Sequence, residues 1–331
     1  MPSSAERKTS NAAPLRWGKL LYINFALGAF LCAGVLGLFW LFRSQQIRSV
    51  APVTLEGGGS MWQKDIRFGF RHVPSVQGAH RTYQFKVTYT IDDAGFRVTP
   101  TPPESRGEVY ILGCSWTFGD GVEDHEPYPY LLGSDEWRDY KVRNAGCMAW
   151  GTSHALLMTQ EILEGPVPPK MILYGWVDAH AMRNYLALDW LEMLAQFNRE
   201  HPWFELEQER PAFKGVVGVE SGVRRDAALT EKEWELSYHL ILEMSRLCRD
   251  RGVPFFVVSL PIGVPANPDG IRMLNRARDA GVSWIDLSDI CEKADFIPGD
   301  GHPAPSAHRK IAAGIAVQPE ILKVMEGDAS P

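Results

Sequence analysis

The chain has 331 residues, 45% hydrophobic and 22% charged, with 40 acidic against 34 basic side chains. These figures exclude a disordered tail, a collagen-like fibre and a disulfide mini-protein. Five of the basic residues (Arg7, Lys8, Arg16, Lys19, Arg43) and one acid (Glu6) fall in the first 43 positions, which leaves 29 basic and 39 acidic beyond them, a net charge of −10 that repels a nucleic-acid polyanion.

Leu20 to Phe42 is a run of 23 residues without a charge, with Asn24 its only strongly polar side chain. At 1.5 Å per residue it is long enough for a hydrocarbon core about 30 Å thick. Because Arg43, Ser44, Gln45 and Gln46 follow directly, with no small-x-small site, the run is read as a retained transmembrane helix and not as a cleaved signal peptide. The basic residues before it place residues 1–19 in the cytoplasm and the remainder outside. Cys114, Cys147, Cys248 and Cys291 show no Cys-x-x-Cys spacing, so no zinc or thioredoxin-type motif is indicated. Four such cysteines allow three pairings; Cys114 and Cys147 end predicted strands, and buried free thiols are the reading preferred here.

Residues 43–106 read as a linker and small β segment. Gly57-Gly58-Gly59 forms a joint, Tyr83 to Ile91 alternates with the period of a half-buried strand, and Asp92-Asp93-Ala94-Gly95 supplies a turn before Phe96-Arg97-Val98. Over 107–326 short apolar runs alternate with helical stretches, the pattern of a doubly wound five-stranded parallel sheet. The predicted strands are 109–113, 141–145, 171–174, 255–260 and 284–287. Helices are predicted near 125–133, 153–164, 179–199, 231–251 and 306–325. The stretch from about 200 to 230 has no clear period and reads as an insertion.

Ligands of such sheets bind beyond the carboxyl ends of the strands, and four places there carry candidate chemistry. The first strand ends in Gly113-Cys-Ser115, where a serine after a tight turn can expose its hydroxyl. The second ends in Asn144-Ala-Gly146, whose glycine lets a backbone N–H approach a ligand. After the third comes Asp178, a candidate helix cap, followed by His180, Arg183 and Asn184 on one helical face. That face either addresses an oxyanion or is an ordinary solvated one. Before the last helix, Asp300-Gly-His302 suits a carboxylate that orients an imidazole base.

Together these elements resemble the SGNH/GDSL hydrolase superfamily over about 108–318. The resemblance is strongest in Gly113-Cys-Ser-Trp-Thr-Phe-Gly-Asp-Gly-Val122, Arg143-Asn-Ala-Gly146 and Asp300-Gly-His-Pro303. Tyr89 to Arg97 looks like the lead-in of membrane-attached members. The resemblance implies an α/β/α sandwich with Ser115 as nucleophile, His302 as general base and Asp300 as its orienting partner. It also implies oxyanion donors from the backbone N–H groups of Ser115 and Gly146.

Where the family commonly has Asn-Asp, this chain has Val177-Asp178. Valine cannot donate a hydrogen bond, and losing one oxyanion donor typically costs about 10²–10³ in turnover. His180 or Arg183, with Asn184 in reserve, is expected to take the role. The leading reading is a membrane-anchored serine esterase acting on an acylated small molecule, glycan or lipid outside the cytoplasm, with envelope-polysaccharide assembly proteins as possible partners. An O-acyltransferase needs the same serine. A non-catalytic glycan-binding module is the third reading, favoured by the missing Asn and by Trp116, Trp150, Trp176 and Trp190 as sugar-stacking rings. No residue pattern names a metal or an organic cofactor.

Overall fold

The computed structural model describes residues 22, 24–38, 53–55, 59–221 and 231–327. The chain divides into two units, Met1–Ala51 and Pro52–Pro331. In the first, helix α1 covers 24–38. Among the described residues no helix is long and apolar enough to cross a membrane. Both ends of the Leu20 to Phe42 run lie outside the described residues, so the expected span is described only over its middle.

The second unit opens with short antiparallel strands: β1 (Thr54–Leu55), β2 (Trp62–Asp65), β3 (Gly69–His72), β4 (Gln77–Arg81) and β5 (Lys86–Thr90). The strand expected over 83–91 is shorter than its alternation suggests. Thr82 Oγ1 accepts from the N–H groups of Gln84 (3.1 Å) and Phe85 (3.2 Å), which makes 82–85 a turn joining β4 to β5. The expected turn at 92–95 is present, with Asp92 Oδ1 accepting from Ala94 and Phe96. Phe96 to Val98 forms no strand but only single bridges, Arg97 pairing with Ile91 and with Asn144.

The remaining elements are β6 (Glu108–Gly113), α2 (Ser115–Phe118), α3 (Tyr128–Ser134), β7 (Lys141–Gly146), α4 (Thr152–Leu163), β8 (Met171–Trp176), α5 (Ala179–Asn184), α6 (Leu188–Ala195), β9 (His201–Glu207), β10 (Arg210–Val217), α7 (Glu231–Asp250), β11 (Phe255–Ser259), α8 (Pro268–Asp279), β12 (Ser283–Asp286), α9 (Pro305–Ala316) and α10 (Pro319–Glu326). Five strands form one parallel sheet in the order β12-β11-β8-β6-β7. Alternate side chains face opposite layers. Ile172 and Tyr174 pack with α4, α7 and α8, whereas Met171 and Leu173 pack with α3, α9 and α10. Burial on both faces explains why β8 is apolar throughout. The order places the topological switch between β6 and β8, at the end from which Ser115 emerges.

Two expected helices are corrected and two elements were not anticipated. The stretch read as an insertion without a clear period carries a hairpin of β9 and β10. Its two-residue turn puts Gln208 and Glu209 at φ +49° and +61°, and without Asn-Gly there the sequence carried no turn signal. The 179–199 helix is interrupted at Leu186, φ +59°, and the 306–325 helix breaks where Pro319 starts α10. Helix α8 was not anticipated, although Asn267 caps it by accepting from the Asp269 N–H at 2.9 Å, with Pro268 in the first turn. Cys114, Cys147 and Cys248 are buried free thiols, and Cys291 is free and partly exposed.

Candidate active site

Ser115 is the first residue of α2, so its N–H has no carbonyl partner within the helix. The short helix lies directly on the strand ends because Gly113 and Gly146 face each other across β6 and β7. A Cβ on Gly146 would stand 2.4 Å from the Phe118 nitrogen. No side chain fits there, so this glycine sets the height of the turn that carries Ser115.

His302 is held in a tight turn, with its carbonyl accepting from the Ile297 N–H at 2.9 Å. Asp300 Oδ1 accepts from the His302 N–H at 3.0 Å and lies 2.6 Å from His302 Nδ1. A carboxylate can only accept, which assigns the proton to Nδ1 and leaves Nε2 as an acceptor. Nε2 lies 2.9 Å from Ser115 Oγ. The Trp116 ring packs against the imidazole, centroids 4.5 Å apart, and its Nε1 donates to Pro261 O at 3.0 Å. Burial alone pushes the His302 pKa down. The hydrogen bond that His302 donates to Asp300, with the charges of Asp120 and Asp300, outweighs burial and the opposing charge of Arg183, so the pKa is raised above the usual 6.5.

The oxyanion donors differ from those that the resemblance implies. The Gly146 N–H already donates to Asn144 Oδ1 at 3.1 Å. Val177 is buried in the core layer that holds Leu173 and Val258. Asn184 is corrected as a reserve donor: its Oδ1 accepts from the N–H and Oγ of Ser153, and its Nδ2 donates to Thr152 and Ser237. His180 is corrected as well. Tyr174 gives its hydroxyl proton to Thr152, so the 2.7 Å contact from His180 Nδ1 to that hydroxyl is a donation from the ring. Burial, with the charges of Arg183 and His201, holds His180 well below 6.5. The neutral ring therefore presents at Nε2 a lone pair, not a proton. Of the three, Arg183 is the one whose charge acts on His302; its guanidinium lies over Trp190 and donates to Trp150 O. Asp178, expected to cap α5, makes no cap hydrogen bond and instead accepts from the Asn267 N–H at 2.7 Å. Trp150 and Trp176 are buried core rings, leaving Trp116 as the ring beside His302.

Sequence reasoning assigned no role to Asp120, His80, Tyr89 or Arg97. Asp120 and Arg97 lie inside quoted motif blocks, and what was missing was their juxtaposition, since the upstream β segment packs under α2. Arg97 donates to the carbonyls of Phe118, Gly119 and Val122, and Asp120 accepts from Tyr89 and lies against His80.

No family model and no curated protein matches the chain. Solved structures do. A member of the lipolytic protein G-D-S-L family from Veillonella parvula is 12% identical, with a TM-score of 0.41 over 62% of this chain and 94% of that one. An acetyl xylan esterase from the rumen bacterium Butyrivibrio proteoclasticus is 12% identical, with a TM-score of 0.41 over 70% and 67%. A psychrotrophic esterase from Pseudoalteromonas is 15% identical, with a TM-score of 0.39 over 63% and 93%. The chemistry is decided by this chain's own side chains.

Proposed function

We propose that this chain is a membrane-anchored serine esterase that removes acyl groups from a cell-envelope glycan or lipid. The observation that carries the reading is the pair of short contacts, Ser115 Oγ to His302 Nε2 at 2.9 Å and His302 Nδ1 to Asp300 Oδ1 at 2.6 Å, at the carboxyl ends of a doubly wound sheet. Ser115 Oγ attacks the ester carbonyl as its proton passes to His302 Nε2. The Ser115 N–H is the donor to the tetrahedral oxyanion, and the Arg183 charge, which acts on the neighbouring His302, supports it electrostatically. His302 then returns the proton to the leaving alcohol, giving an acyl-serine. Water attacks the acyl carbon with His302 again as base, releasing the acid and restoring Ser115. Leu20 to Phe42, apolar on every face, anchors the enzyme, and the positive-inside rule sets the catalytic unit outside the cytoplasm.

The test incubates the full chain in detergent micelles with p-nitrophenyl acetate and with an O-acetylated oligosaccharide, following free acetate. Acetate release that Ser115→Ala abolishes supports the reading. Acyl groups recovered on an added glycan instead of as free acid would make the chain an O-acyltransferase. No reaction with either ester by the folded protein would overturn the proposal.

A further inference from the structure

Asp120 is a second carboxylate beside the catalytic imidazole, and no step above uses it. Its Oδ2 lies 3.9 Å from His302 Nε2, the nitrogen that faces Ser115. Its Oδ1 is fixed from the other side, taking the Tyr89 hydroxyl proton at 2.6 Å with His80 Nδ1 at 3.1 Å. Tyr89 is oriented in turn by the Gly121 N–H, which donates to its oxygen at 2.8 Å. The clamp comes from β4 and β5, outside the α/β sheet, and leaves Asp120 almost no freedom to turn away.

We propose that Asp120, clamped by Tyr89 and His80, is a positioning residue that stabilises the protonated His302 formed when Ser115 attacks. The inference rests on the serine-esterase reading above. Asp300 fixes the tautomer through Nδ1, whereas Asp120 acts on the Nε2 side, where the proton arrives and departs. Burial pushes the Asp120 carboxyl up, but the His80 hydrogen bond, the charges of His302 and His80 and the Tyr89 hydrogen bond bring it to about 2, so it is an anion at neutral pH. The other groups facing the pair are Arg183, which opposes a charge on His302, Arg97, whose charge interacts with Asp120, and His308, kept neutral by burial with a pKa of about 3.

The test is an imidazole NMR titration of the full chain in detergent micelles, with His302 assigned by His302→Ala, run beside pH profiles of kcat/KM on p-nitrophenyl acetate. An opposite charge at this range shifts a pKa by roughly 1–3 units. Asp120→Asn keeps both acceptor contacts through its Oδ1 and should lower the His302 midpoint and the acid limb of kcat/KM together by about one unit or more. Tyr89→Phe keeps the charge but loosens the clamp, and should give a smaller shift in the same direction. A midpoint unmoved in both variants overturns the inference, even if activity falls, because a merely structural residue lowers activity without moving the titration. Failure of the esterase reading shows separately, as absence of ester hydrolysis in the wild type, while the titration still decides whether Asp120 charges His302.

Discussion

The guanidinium of Arg97 closes the far end of the nucleophile helix, donating to the Phe118 carbonyl at 2.8 Å while lying 4.7 Å over the Phe118 ring. It also reaches the carbonyls of Gly119 and Val122 and pairs with Asp124. A fully buried cation serving three carbonyls cannot be replaced by a point charge. Arg97→Met should cost about 3–5 kcal/mol in urea unfolding, because it leaves Asp124 and three carbonyls without their donor. Arg97→Lys should recover less than half of the loss.

Gly146 is expected to be as intolerant for a steric reason. A Cβ there would stand only 2.4 Å from the Phe118 backbone nitrogen, so Gly146→Ala must lift α2. We expect a loss of about 3 kcal/mol or more, together with a fall in activity per folded molecule, read by combining urea unfolding with ester hydrolysis.

Two buried neighbours on α5 should differ in their effect on turnover. Asn184→Ala removes four buried hydrogen bonds and should destabilise by about 2–4 kcal/mol with turnover per folded molecule retained. Arg183→Met leaves the buried Trp150 carbonyl without its donor and removes the cation over Trp190, so it should cost about 1–3 kcal/mol, and it should also lower turnover per folded molecule by about 10²–10³ if its charge supports the oxyanion. Equal turnover losses in the two variants would contradict this division.

Acid should begin to unfold the protein before its carboxylates titrate. His72, His201 and His308 are held by burial at about 3, and burial keeps His154 and His180 well below 6.5. Their folded pKa values lie below the unfolded value of about 6.5, so the unfolded chain binds more protons. The stability from keeping them neutral is complete above pH ~6.5 and is lost as pH falls towards 3, by up to about 1.4 kcal/mol per unit for each ring. We expect cooperative unfolding between about pH 4 and 5.5 with uptake of several protons, measured by circular dichroism. Substituting His201 by Gln should move the midpoint down.

Within the α/β unit the inner strands were legible because burial on both faces leaves unbroken apolar runs, as in Met171 to Tyr174, whereas the edge strands β7 and β12 carry polar residues and were read from their place between helical stretches. Ser115, His302 and Asp300 were legible because they stand at strand ends or in a Gly- and Pro-marked turn. The hairpin at 201–217 was not, since Gln208 and Glu209 occupy a turn that glycine and asparagine usually mark. Neither was the fate of the third-strand cluster. Helical spacing put His180, Arg183 and Asn184 on one face, but which of them keeps a free donor depends on Tyr174, Thr152 and Ser153, partners that periodicity does not reveal. Asp120 escaped for the same reason, its clamp coming from residues 31 and 40 positions upstream.

The most direct test of the account is covalent labelling of the full chain by a fluorophosphonate, read by intact mass across about pH 7 to 9, because the raised His302 pKa moves the neutral imidazole to higher pH. The account predicts a single phosphonyl adduct that is absent in Ser115→Ala and strongly slowed in His302→Ala. A folded wild type that gains no adduct, or an adduct that persists in Ser115→Ala, would contradict it.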